Sequence, residues 1–562
     1  MILEELSNLI KETLDDLGYK SETMIKKSNR PDLCDYQYDG LFSLSKEYHK
    51  NPFTIGEELC DALQKKENFN HYLKTVEVVK PGFLNMVISD EFINEILKKM
   101  NKEEKFGINQ IEDTYVLDYG GPNIAKPLHV GHLRSAIVGE SVKRIIEYKG
   151  CKTISDVHLG DFGLQIGQVI YGVKKYKKQI EEIDLNFLEK IYPEISSLCK
   201  ENESVKEECA TITKELQDGN EEYRTIWKKI CEISGNDIKR LYQYLDVHFD
   251  LWYGESDAYK YIPVVEDIVE SKNLFQISES AKVISVTKET DKKEIPPLIF
   301  QKSNGAYLYG TTDMATIYQR INGYHPSHIL YFADSRQGLH FNQVFRACEK
   351  CGMLNQTKLE FLGFGTVNGL DGKPFKTRNG DAPKLDDLFN EVKEIFISKK
   401  ETNQNMKQDD LDKIVNAILK FADLQNNREK DYIFDIAKFS EVIGKTGPYI
   451  LYTYLRINKI VKEQQFEEQF NQIYNNYDRD LRKKIIELDL SIEQAFQYRL
   501  PSVIAEYVYD LCVLINTFYQ NNHINGLEDE NKKNEWVTLL NLSTKVLKEM
   551  FHLLIIDVPS VM

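Results

Sequence analysis

The pattern of apolar and polar positions changes twice along the chain. Residues 1 to about 108 begin with amphipathic helices (3–17 and 41–49) and continue into an alternating stretch, TVEVVKPGFLNMVIS, which predicts two strands around a Pro-Gly turn. From residue 115, a short β-rich run leads through a glycine-rich turn into a helix, which is typical of a nucleotide-binding α/β unit. Beyond about residue 440, apolar residues recur with a helical period and predict a bundle.

These changes of pattern predict three domains in an α/β protein. A small α+β domain covers residues 1–108, a nucleotide-binding α/β domain covers 109–440, and an all-α bundle covers 441–562. Within the second domain, a charged and helix-rich insertion spans about 172–290. The polar stretch ETNQNMKQDD (401–410) predicts a linker. We therefore expect the bundle to be separable, so that its removal leaves the rest of the chain folded.

Composition fits a folded chain and argues against a membrane protein. Apolar residues make up 42%, and Tyr and Phe are abundant, which excludes disorder as the main state. No apolar run approaches the roughly 18 residues needed to span a bilayer. The N-terminal helix is acidic and amphipathic, unlike a signal peptide. We expect a cytoplasmic protein with no membrane partner.

Charge and cysteine content add two further expectations. The net charge of −16 disfavours a nucleic-acid binder, whose footprint is usually basic. The predicted bundle also has more acids than bases, so any RNA contact there must depend on a local patch. Among the nine cysteines, only Cys348 and Cys351 have CxxC spacing, which supplies two of the four ligands of a structural zinc. We expect reduced thiols, no structural zinc and no other resident metal.

The strongest chemical signal is LDYGGPNIAKPLHVGHLRSA, residues 117–136. His129 and His132 are three residues apart, so they share one face at the start of a predicted helix. Gly131 between them lets a flat group approach the backbone. A helix N-terminus favours anions, which suits attack on a nucleotide phosphate. A bare HxxH pair would more often mark a surface helix, but the flanking Gly-Gly-Pro-Asn and Lys-Pro favour the phosphate interpretation.

A second candidate is the basic, glycine-rich segment GLDGKPFKTRNGDAPKL, which contains Lys373, Lys376 and Arg378. A mobile basic loop can close on a triphosphate and neutralise the charge that moves during transfer. A solvated hairpin loop fits the same spacing equally well, so the segment alone does not decide between the two.

Acids and single histidines mark a possible substrate pocket. Asp118 ends the first predicted strand, at the edge where parallel α/β sheets bind ligands. Tyr309 and Asp313 are four residues apart, so a helix would place them on one side. His158 and His340 lie near strand ends and would face the same region. Without further information, each of these residues would more often be a cap, a surface charge or a loop histidine.

The 117–136 stretch closely resembles the signature of arginyl-tRNA synthetases, a class I aminoacyl-tRNA synthetase family. HVGH resembles the class I HIGH motif with Val130 in place of Ile, and PNIAKPLHVGHLRS is more specific than that motif. Further motifs follow in the family's order: VHLGDFGLQIG, YGTTDMA, SRQGLHF, GKPFKTRNG and DYIFDIAKFSEVIGKTGPYILY. The bundle is similar to the family's anticodon-binding domain, and residues 1–108 resemble its N-terminal tRNA-contacting domain. The implied fold is a class I Rossmann-type catalytic domain between these two.

The resemblance implies an arginine–tRNA ligase. Such an enzyme makes arginyl-adenylate from ATP and L-arginine, with Mg²⁺ accompanying the ATP, and transfers the arginyl group to the 3′-terminal adenosine of tRNA(Arg). No side chain needs to act as a covalent nucleophile, because the amino-acid carboxylate attacks phosphorus directly. Family members are usually monomers and typically require bound tRNA before they activate arginine.

The resemblance also assigns residues. An arginine side chain pairs best with carboxylates, so Asp313 and Tyr309, with Asp118, would bind the guanidinium. FKTR aligns with the second class I signature, KMSKS, but places Thr377 where the most important lysine usually stands; Lys126 is the proposed substitute. The remaining implied roles are catalysis by His129, His132, Lys126 and Lys376; ATP binding by Gly131, His340, Lys373, Thr377 and Arg378; further arginine contacts by Asn123, His158 and Gln337; and tRNA contacts by Phe83, Asn85, Tyr449, Tyr452 and Arg456.

Three alternatives remain open at this point. A class I synthetase for glutamate would need a basic residue in place of Asp313 and Tyr309, and one for cysteine normally carries zinc ligands. A decayed, non-catalytic RNA-binding relative would have lost His129, His132 or Asn123, all of which are present. An adenylyltransferase of the same superfamily would lack the helical C-terminal domain.

Overall fold

The computed structural model describes residues 2–20, 25–375, 384–399 and 406–562. Half of the predicted linker (residues 401–405), and the signature-loop residues Lys376, Thr377 and Arg378, lie outside these ranges. Within them, no helix is both long and apolar enough to cross a bilayer.

The first domain packs helices against one face of a four-stranded antiparallel sheet, with strand order β1-β2-β4-β3. The predicted hairpin is present, and its two strands, residues 73–79 and 83–88, pair antiparallel. The elements are α1 (Ile2–Asp16), β1 (Ile25–Lys27), β2 (Tyr36–Tyr38), α2 (Leu41–Tyr48), α3 (Pro52–Gln64), α4 (Phe69–Tyr72), β3 (Leu73–Val79), β4 (Phe83–Ile88) and α5 (Asp90–Lys102).

The second domain is built on a four-stranded parallel sheet with order β11-β10-β5-β6. Its first unit is the predicted strand, turn and helix. β5 pairs on one side with β6, the next strand in the chain, and on the other side with β10. The strand order therefore reverses between β5 and β10, which is where sheets of this kind bind ligands. These elements are β5 (Thr114–Asp118), α6 (Val130–Tyr148), β6 (Lys152–Asp156), α13 (Tyr309–Tyr324), β10 (His328–Tyr331), α14 (Gly338–Lys350) and β11 (Lys358–Phe361).

The insertion is helical at first, as predicted, but it ends in strands that the sequence did not reveal. Strands β7, β8 and β9 form a separate antiparallel sheet. The insertion elements are α7 (Leu164–Lys175), α8 (Leu185–Glu201), α9 (Glu203–Asp218), α10 (Glu221–Tyr244), α11 (Glu255–Ala258), α12 (Ile262–Ser271), β7 (Phe275–Ser278), β8 (Ala281–Ile284) and β9 (Leu298–Gln301). The domain closes with β12 (Val367–Asn368), α15 (Leu385–Ser398), α16 (Gln408–Leu424), β13 (Tyr432–Ile433) and α17 (Ile436–Phe439).

The C-terminal part is a helical bundle, as predicted. Glu487 separates two of its helices, Asn476–Ile486 and Leu488–Tyr498. The helices are α18 (Gly447–Lys462), α19 (Asn476–Ile486), α20 (Leu488–Tyr498), α21 (Pro501–Asn521) and α22 (Glu530–Leu553).

The structure argues against a separable bundle, because one apolar core runs through all three predicted domains. This core includes Leu97 of α5, Ile137 of α6, Ile418 of α16 and Leu540 of α22, all fully buried. A second, smaller core covers the other face of the parallel sheet. Removing the bundle would expose a large apolar surface on α6 and α16 to water, at a cost of roughly 25 cal/mol per Å².

Polar contacts reinforce this union at the end of α22. The Ser141 hydroxyl of α6 donates to the carbonyl of Leu553 (2.6 Å), and the Arg144 guanidinium donates to the carbonyl of His552 (3.1 Å). The fully buried Lys420 ammonium of α16 donates to the carbonyl of Ile555 (2.8 Å). Side chains of the second domain therefore donate to carbonyl groups at the end of this helix and just beyond it.

Candidate active site

A cavity of about 690 Å³ opens at the carboxyl ends of β5 and β10, where the strand order reverses. It brings together most of the residues that the sequence singled out. The predicted residues that line it are Asp118, Asn123, His129, Gly131, His132, His158, Tyr309, Asp313, Gln337 and His340. Within the described ranges, no group of three or more His, Cys, Asp or Glu side chains is arranged to hold a metal ion.

The two histidines meet at the start of α6, with ring centres 4.0 Å apart. His129 is the residue that caps the helix, and its Nδ1 accepts a hydrogen bond from the Gly131 N–H (3.1 Å). The Nδ1 of His132 accepts in turn from the His129 N–H (3.1 Å). Both imidazoles thus satisfy backbone donors that begin the helix, which fixes their orientation.

Burial and nearby charge determine the protonation of both rings, and the capping hydrogen bonds determine which nitrogen carries the proton. Burial, followed by the charges of His129 and Lys126, lowers the pKa of His132 to about 3, and burial with the charge of Lys126 also lowers the pKa of His129. Both rings are therefore neutral at pH 7. A neutral imidazole whose Nδ1 accepts a hydrogen bond carries its proton on Nε2. The site thus presents two oriented Nε2–H donors.

The acidic end of the cavity is formed by α13 and its neighbours. Tyr309 begins α13 and Asp313 lies one turn later, as predicted. The side chain of Leu308, at the cap position, makes no capping hydrogen bond, and Asp313 does not cap the helix either. One oxygen of Asp313 lies 2.5 Å from Nε2 of His340. His340 therefore lies at the acidic end of the cavity, in contact with Asp313.

Asp118 also lines the cavity, but its carboxylate is already bound. The buried Arg320 guanidinium lies 2.7 Å from Asp118 and 2.7 Å from Asp156, the neighbouring strand end. Burial raises the pKa of Asp118, although the positive charge of Arg320 opposes that rise. Burial disfavours protonated His158, but the nearby carboxylates of Asp156, 3.8 Å from its Nδ1, and of Asp118 raise the pKa of His158 to about 9. The Asp118 carboxylate, which the sequence suggested as a ligand-binding group, is thus already paired with Arg320.

Glu255 is a lining residue that sequence reasoning missed. It begins the short helix α11, within the insertion. Burial raises the pKa of Glu255 to about 7; the charge of His158 opposes that rise, and the charges of Asp313 and Asp161 add smaller increases. The nearby Asp161 accepts hydrogen bonds from the backbone and hydroxyl of Ser256 and does not line the cavity. Only the unusual Trp-Tyr-Gly before it distinguishes Glu255 in a stretch rich in acids.

Asn123 and Gln337 both line the cavity. The Asn123 amide oxygen accepts from Nε2 of Gln165 (3.2 Å), and its backbone pairs with that of Gly160. A Cβ atom on Gly160 would collide with that amide oxygen, so the close approach requires glycine there. Gln337 ends a short 3₁₀ turn that leads into α14.

Comparison with known proteins assigns this arrangement to a family. Residues 92–436 match the family described as tRNA synthetases class I (R), catalytic domain. Residues 4–88 match the arginyl tRNA synthetase N terminal domain, and residues 450–562 match the DALR anticodon binding domain. A relative from Alkaliphilus oremlandii, named arginine–tRNA ligase, is 38% identical and is aligned over 100% of both chains.

The chain belongs to the arginyl-tRNA synthetase family. A relative of the same name from Agathobacter rectalis is also 38% identical, over 99% of this chain and 100% of its own. The crystal structure of an arginyl-tRNA synthetase from Plasmodium falciparum superposes with a TM-score of 0.84 at 26% identity, covering 100% of this chain and 99% of the other. These comparisons confirm the resemblance and the predicted fold class.

The second signature segment of this arginyl-tRNA synthetase family member lies partly outside the described residues. Lys373 is exposed on a turn, and the Phe375 N–H donates to the carbonyl of Val367 (2.9 Å). The chain is described again from Lys384, whose backbone pairs with that of His129. The roles of Lys376, Thr377 and Arg378 therefore remain predictions. Lys126 does not line the cavity; its ammonium lies 4.8 Å from the ring centre of Tyr192.

The predicted tRNA contacts differ in exposure. Tyr452 is 47% exposed on α18, whereas the neighbouring Tyr454 is only 8% exposed and packs against Phe551. Tyr449 is half-buried, and its hydroxyl accepts from the Asn516 amide (3.1 Å). The guanidinium of Arg456 lies over the ring of Tyr519, 4.8 Å from its centre.

The two candidates in the N-terminal domain of this family member are also unlike each other. Phe83 is partly exposed at the start of β4, with its ring edge against Phe42. Asn85 is only 4% exposed, and its amide oxygen accepts from Nε2 of Gln37 (2.8 Å). A nucleotide would reach Phe83 more directly than Asn85. Both roles stay predictions.

Proposed function

We propose that this chain is an arginine–tRNA ligase that uses the cavity at the end of β5 and β10 for both of its chemical steps. ATP, entering with Mg²⁺ as part of the substrate, and L-arginine would give arginyl-adenylate and pyrophosphate. The arginyl group would then pass to the 2′-hydroxyl of the 3′-terminal adenosine of tRNA(Arg). The observation that carries the proposal is one cavity with acids at one end and two neutral imidazole donors at the other.

The acidic end suits a guanidinium. Asp313 and Glu255 are carboxyl groups that bind no arginine or lysine of the described chain, and Tyr309 lies beside them. A planar cation with five donors satisfies several such acceptors at once, which a lysine ammonium cannot do. Asp118, held by Arg320, would instead contribute negative charge near the α-amino group, with Asn123 and Gln337 holding the amino-acid backbone.

The imidazole end suits the reacting phosphate. When the arginine carboxylate attacks the α-phosphorus, negative charge grows on the α-phosphoryl oxygens, and Nε2–H of His129 and His132 would donate to them. The bond to the leaving pyrophosphate breaks as the bond to the carboxylate forms, so no side chain becomes covalently modified. Gly131 would leave room for the nucleotide, while Lys126, Lys373, Lys376, Thr377 and Arg378 would meet the phosphates. This positioning and charge stabilisation account for the rate.

We further propose a monomer that works in the cytoplasm and reads tRNA(Arg) through its first and third domains. The proposal of a monomer rests on the family, whose members are usually monomers. Nine free cysteines are compatible with a reducing compartment. The acidic net charge means that tRNA contacts depend on local side chains such as Tyr452 and Phe83.

The decisive experiment is pyrophosphate exchange with each of the twenty amino acids, in the presence and absence of tRNA(Arg). Exchange with arginine alone among them is expected, and the tRNA-free arm shows whether activation requires tRNA. Exchange with another amino acid would point to a different class I specificity. The absence of exchange in both arms, from a folded protein, would instead indicate a decayed RNA-binding relative.

The affinity for arginine should depend on pH through Glu255. Its raised pKa of about 7 means that the free site is mostly protonated at pH 6, and a bound guanidinium favours the ionised form. The KM for arginine should therefore fall about tenfold between pH 6 and pH 8 and then level off. His132, with a pKa of about 3, does not titrate in this range.

The control for this pH dependence is Glu255→Gln, which should raise the arginine KM and make it nearly constant over the same range. Arginine binding to the wild type at pH 6.5 should also release protons, seen as a buffer-dependent heat in calorimetry. A pH profile that persists unchanged in Glu255→Gln would remove Glu255 from the arginine pocket.

Tyr452 should contribute to tRNA binding. Stacking of an aromatic ring on a base is worth about 1–3 kcal/mol, so Tyr452→Ala should raise the KM for tRNA(Arg) about tenfold while leaving the KM for ATP unchanged. The matched control is Tyr498→Ala, also an exposed tyrosine of the bundle. It precedes Arg499, whose guanidinium lies over Tyr115 at the amino end of β5, far from the cavity. Equal effects of both variants would contradict a specific role for Tyr452.

A further inference from the structure

The loop that carries Lys126 is held in place by the insertion. Ala125 has a left-handed backbone (φ 66°), and its N–H donates to the hydroxyl of the buried Ser234 on α10 (3.1 Å). The next residue, Lys126, then extends toward α8, where its ammonium lies 4.8 Å from the ring centre of Tyr192. Across the described ranges, no carboxylate forms an ion pair with Lys126.

Helix α8 makes a second contact with the phosphate end of the site. Glu189 lies three residues before Tyr192, so the two share one face of the helix. Its carboxylate binds the ammonium of Lys384 (2.7 Å), and the backbone of Lys384 pairs with that of His129. One face of α8 therefore contacts both the segment with Lys126, just before the histidines, and the segment with Lys384, which pairs with His129.

We infer that Tyr192 is a positioning residue for the activation step, and that its ring holds the Lys126 ammonium in place without neutralising it. The inference rests on the proposed function, in which Lys126 meets the phosphates. A carboxylate in the place of Tyr192 would position the ammonium equally well, but it would compete with the phosphate for the same charge. An aromatic face attracts the cation through its quadrupole and leaves the net charge and the N–H donors available.

Tyr192 also has an electrostatic link to the amino-acid end of the cavity, because burial, then the charge of Glu255, then that of Tyr192 raise the pKa of Tyr309. Tyr192 could therefore act on the phosphates through Lys126 or on arginine through Tyr309. The first route requires only the ring, whereas the second requires the hydroxyl. The two routes predict different kinetics for the same variants.

The test compares Tyr192→Leu, Tyr192→Phe and Phe187→Leu in pyrophosphate exchange with saturating tRNA(Arg). Phe187 is the matched control, because it lies on α8 and its ring also faces a lysine, Lys178, at 5.6 Å. Tyr192→Leu should raise the KM for pyrophosphate and lower the exchange rate about three- to tenfold, with an unchanged KM for arginine. Tyr192→Phe should restore wild-type values, and Phe187→Leu should retain them.

Three results would overturn the inference. A raised arginine KM in both Tyr192→Leu and Tyr192→Phe would show that the hydroxyl acts on the amino-acid pocket. Equal losses in Tyr192→Leu and Phe187→Leu would show that α8 is merely destabilised. Wild-type exchange in Tyr192→Leu would show that the ring does not matter.

A second variant of the lysine itself separates this inference from the function on which it rests. Lys126→Met should lower exchange more than Tyr192→Leu does, and adding Tyr192→Leu to it should have no further effect, because the ring then has no cation to hold. If Lys126→Met exchanges at the wild-type rate, the proposed role of Lys126 fails. If Lys126→Met is impaired while Tyr192→Leu is normal, only the role of Tyr192 fails. Additive losses in the double variant would mean that Tyr192 acts independently of Lys126.

Discussion

Replacing His132 with asparagine should lower the rate of arginine activation about 100- to 1,000-fold and leave the fold intact. The Nε2–H donor of His132 is oriented before substrate arrives, and loss of one such preorganised donor typically costs that much in kcat. Asparagine carries an oxygen in place of Nδ1, so it can still accept from the His129 N–H and complete the cap. The measurement is kcat for tRNA-supported pyrophosphate exchange, together with a melting curve.

His132→Gln is the complementary control, because glutamine places an N–H donor where Nε2 lies but offers no acceptor at the Nδ1 position. It should lose stability from the cap, by about 1 kcal/mol, and retain more activity than the asparagine variant. The reverse order of activities would mean that His132 serves the helix and not the phosphate. The same pair of substitutions at His129 tests the second donor.

Asp313→Asn should reduce kcat/KM for arginine about ten- to a hundredfold and affect ATP far less. A charge-assisted hydrogen bond is worth roughly 1.5–3 kcal/mol, and a buried guanidinium that loses its carboxylate keeps its desolvation cost. Asparagine preserves the shape and one acceptor, so a change of fold does not explain the loss. Steady-state charging with varied arginine and varied ATP measures both effects.

The competing explanation for Asp313, that it caps a helix, predicts a lowered melting temperature with an unchanged arginine KM. The structure already disfavours it, because Asp313 lies inside α13 and contacts His340. Lysine should remain a poor substrate for Asp313→Asn, because its single ammonium cannot replace the planar guanidinium that Tyr309 and Glu255 would also contact. Efficient charging with lysine would show that the pocket selects by length alone.

Local sequence predicted the parts of the site that depend on local structure. The strand, turn and helix around residues 117–136 follow from hydrophobic period and glycine placement, so the meeting of His129 with His132 was predictable. The spacing of Tyr309 and Asp313 within one helix was predictable for the same reason. The carboxyl end of β5 was the expected ligand edge because the sheet is parallel.

The remaining features depend on contacts between residues far apart in the chain. Parallel pairing places Asp118, at the end of β5, beside the end of β6, and Arg320 binds there. The hydrophobic period of each strand does not predict which strands pair. Glu255 enters the cavity from an insertion with many acids, so its burial was not visible in composition. The continuous core was hidden for a similar reason, since each amphipathic helix shows which face is buried but not its partner.

The hydrogen bonds from α6 to the carbonyls of His552 and Leu553 also constrain the order in which the chain folds during its synthesis. Chains generally fold from the N-terminus as they leave the ribosome. Yet Ser141 and Arg144 must wait for partners that are translated more than 400 residues later. Until then the helix that presents the histidines leaves exposed to water the apolar surface that the bundle later covers, at a cost of roughly 25 cal/mol per Å². A message interrupted within the bundle would therefore release an immature catalytic domain that proteases can recognise, rather than a fragment that activates arginine without charging tRNA.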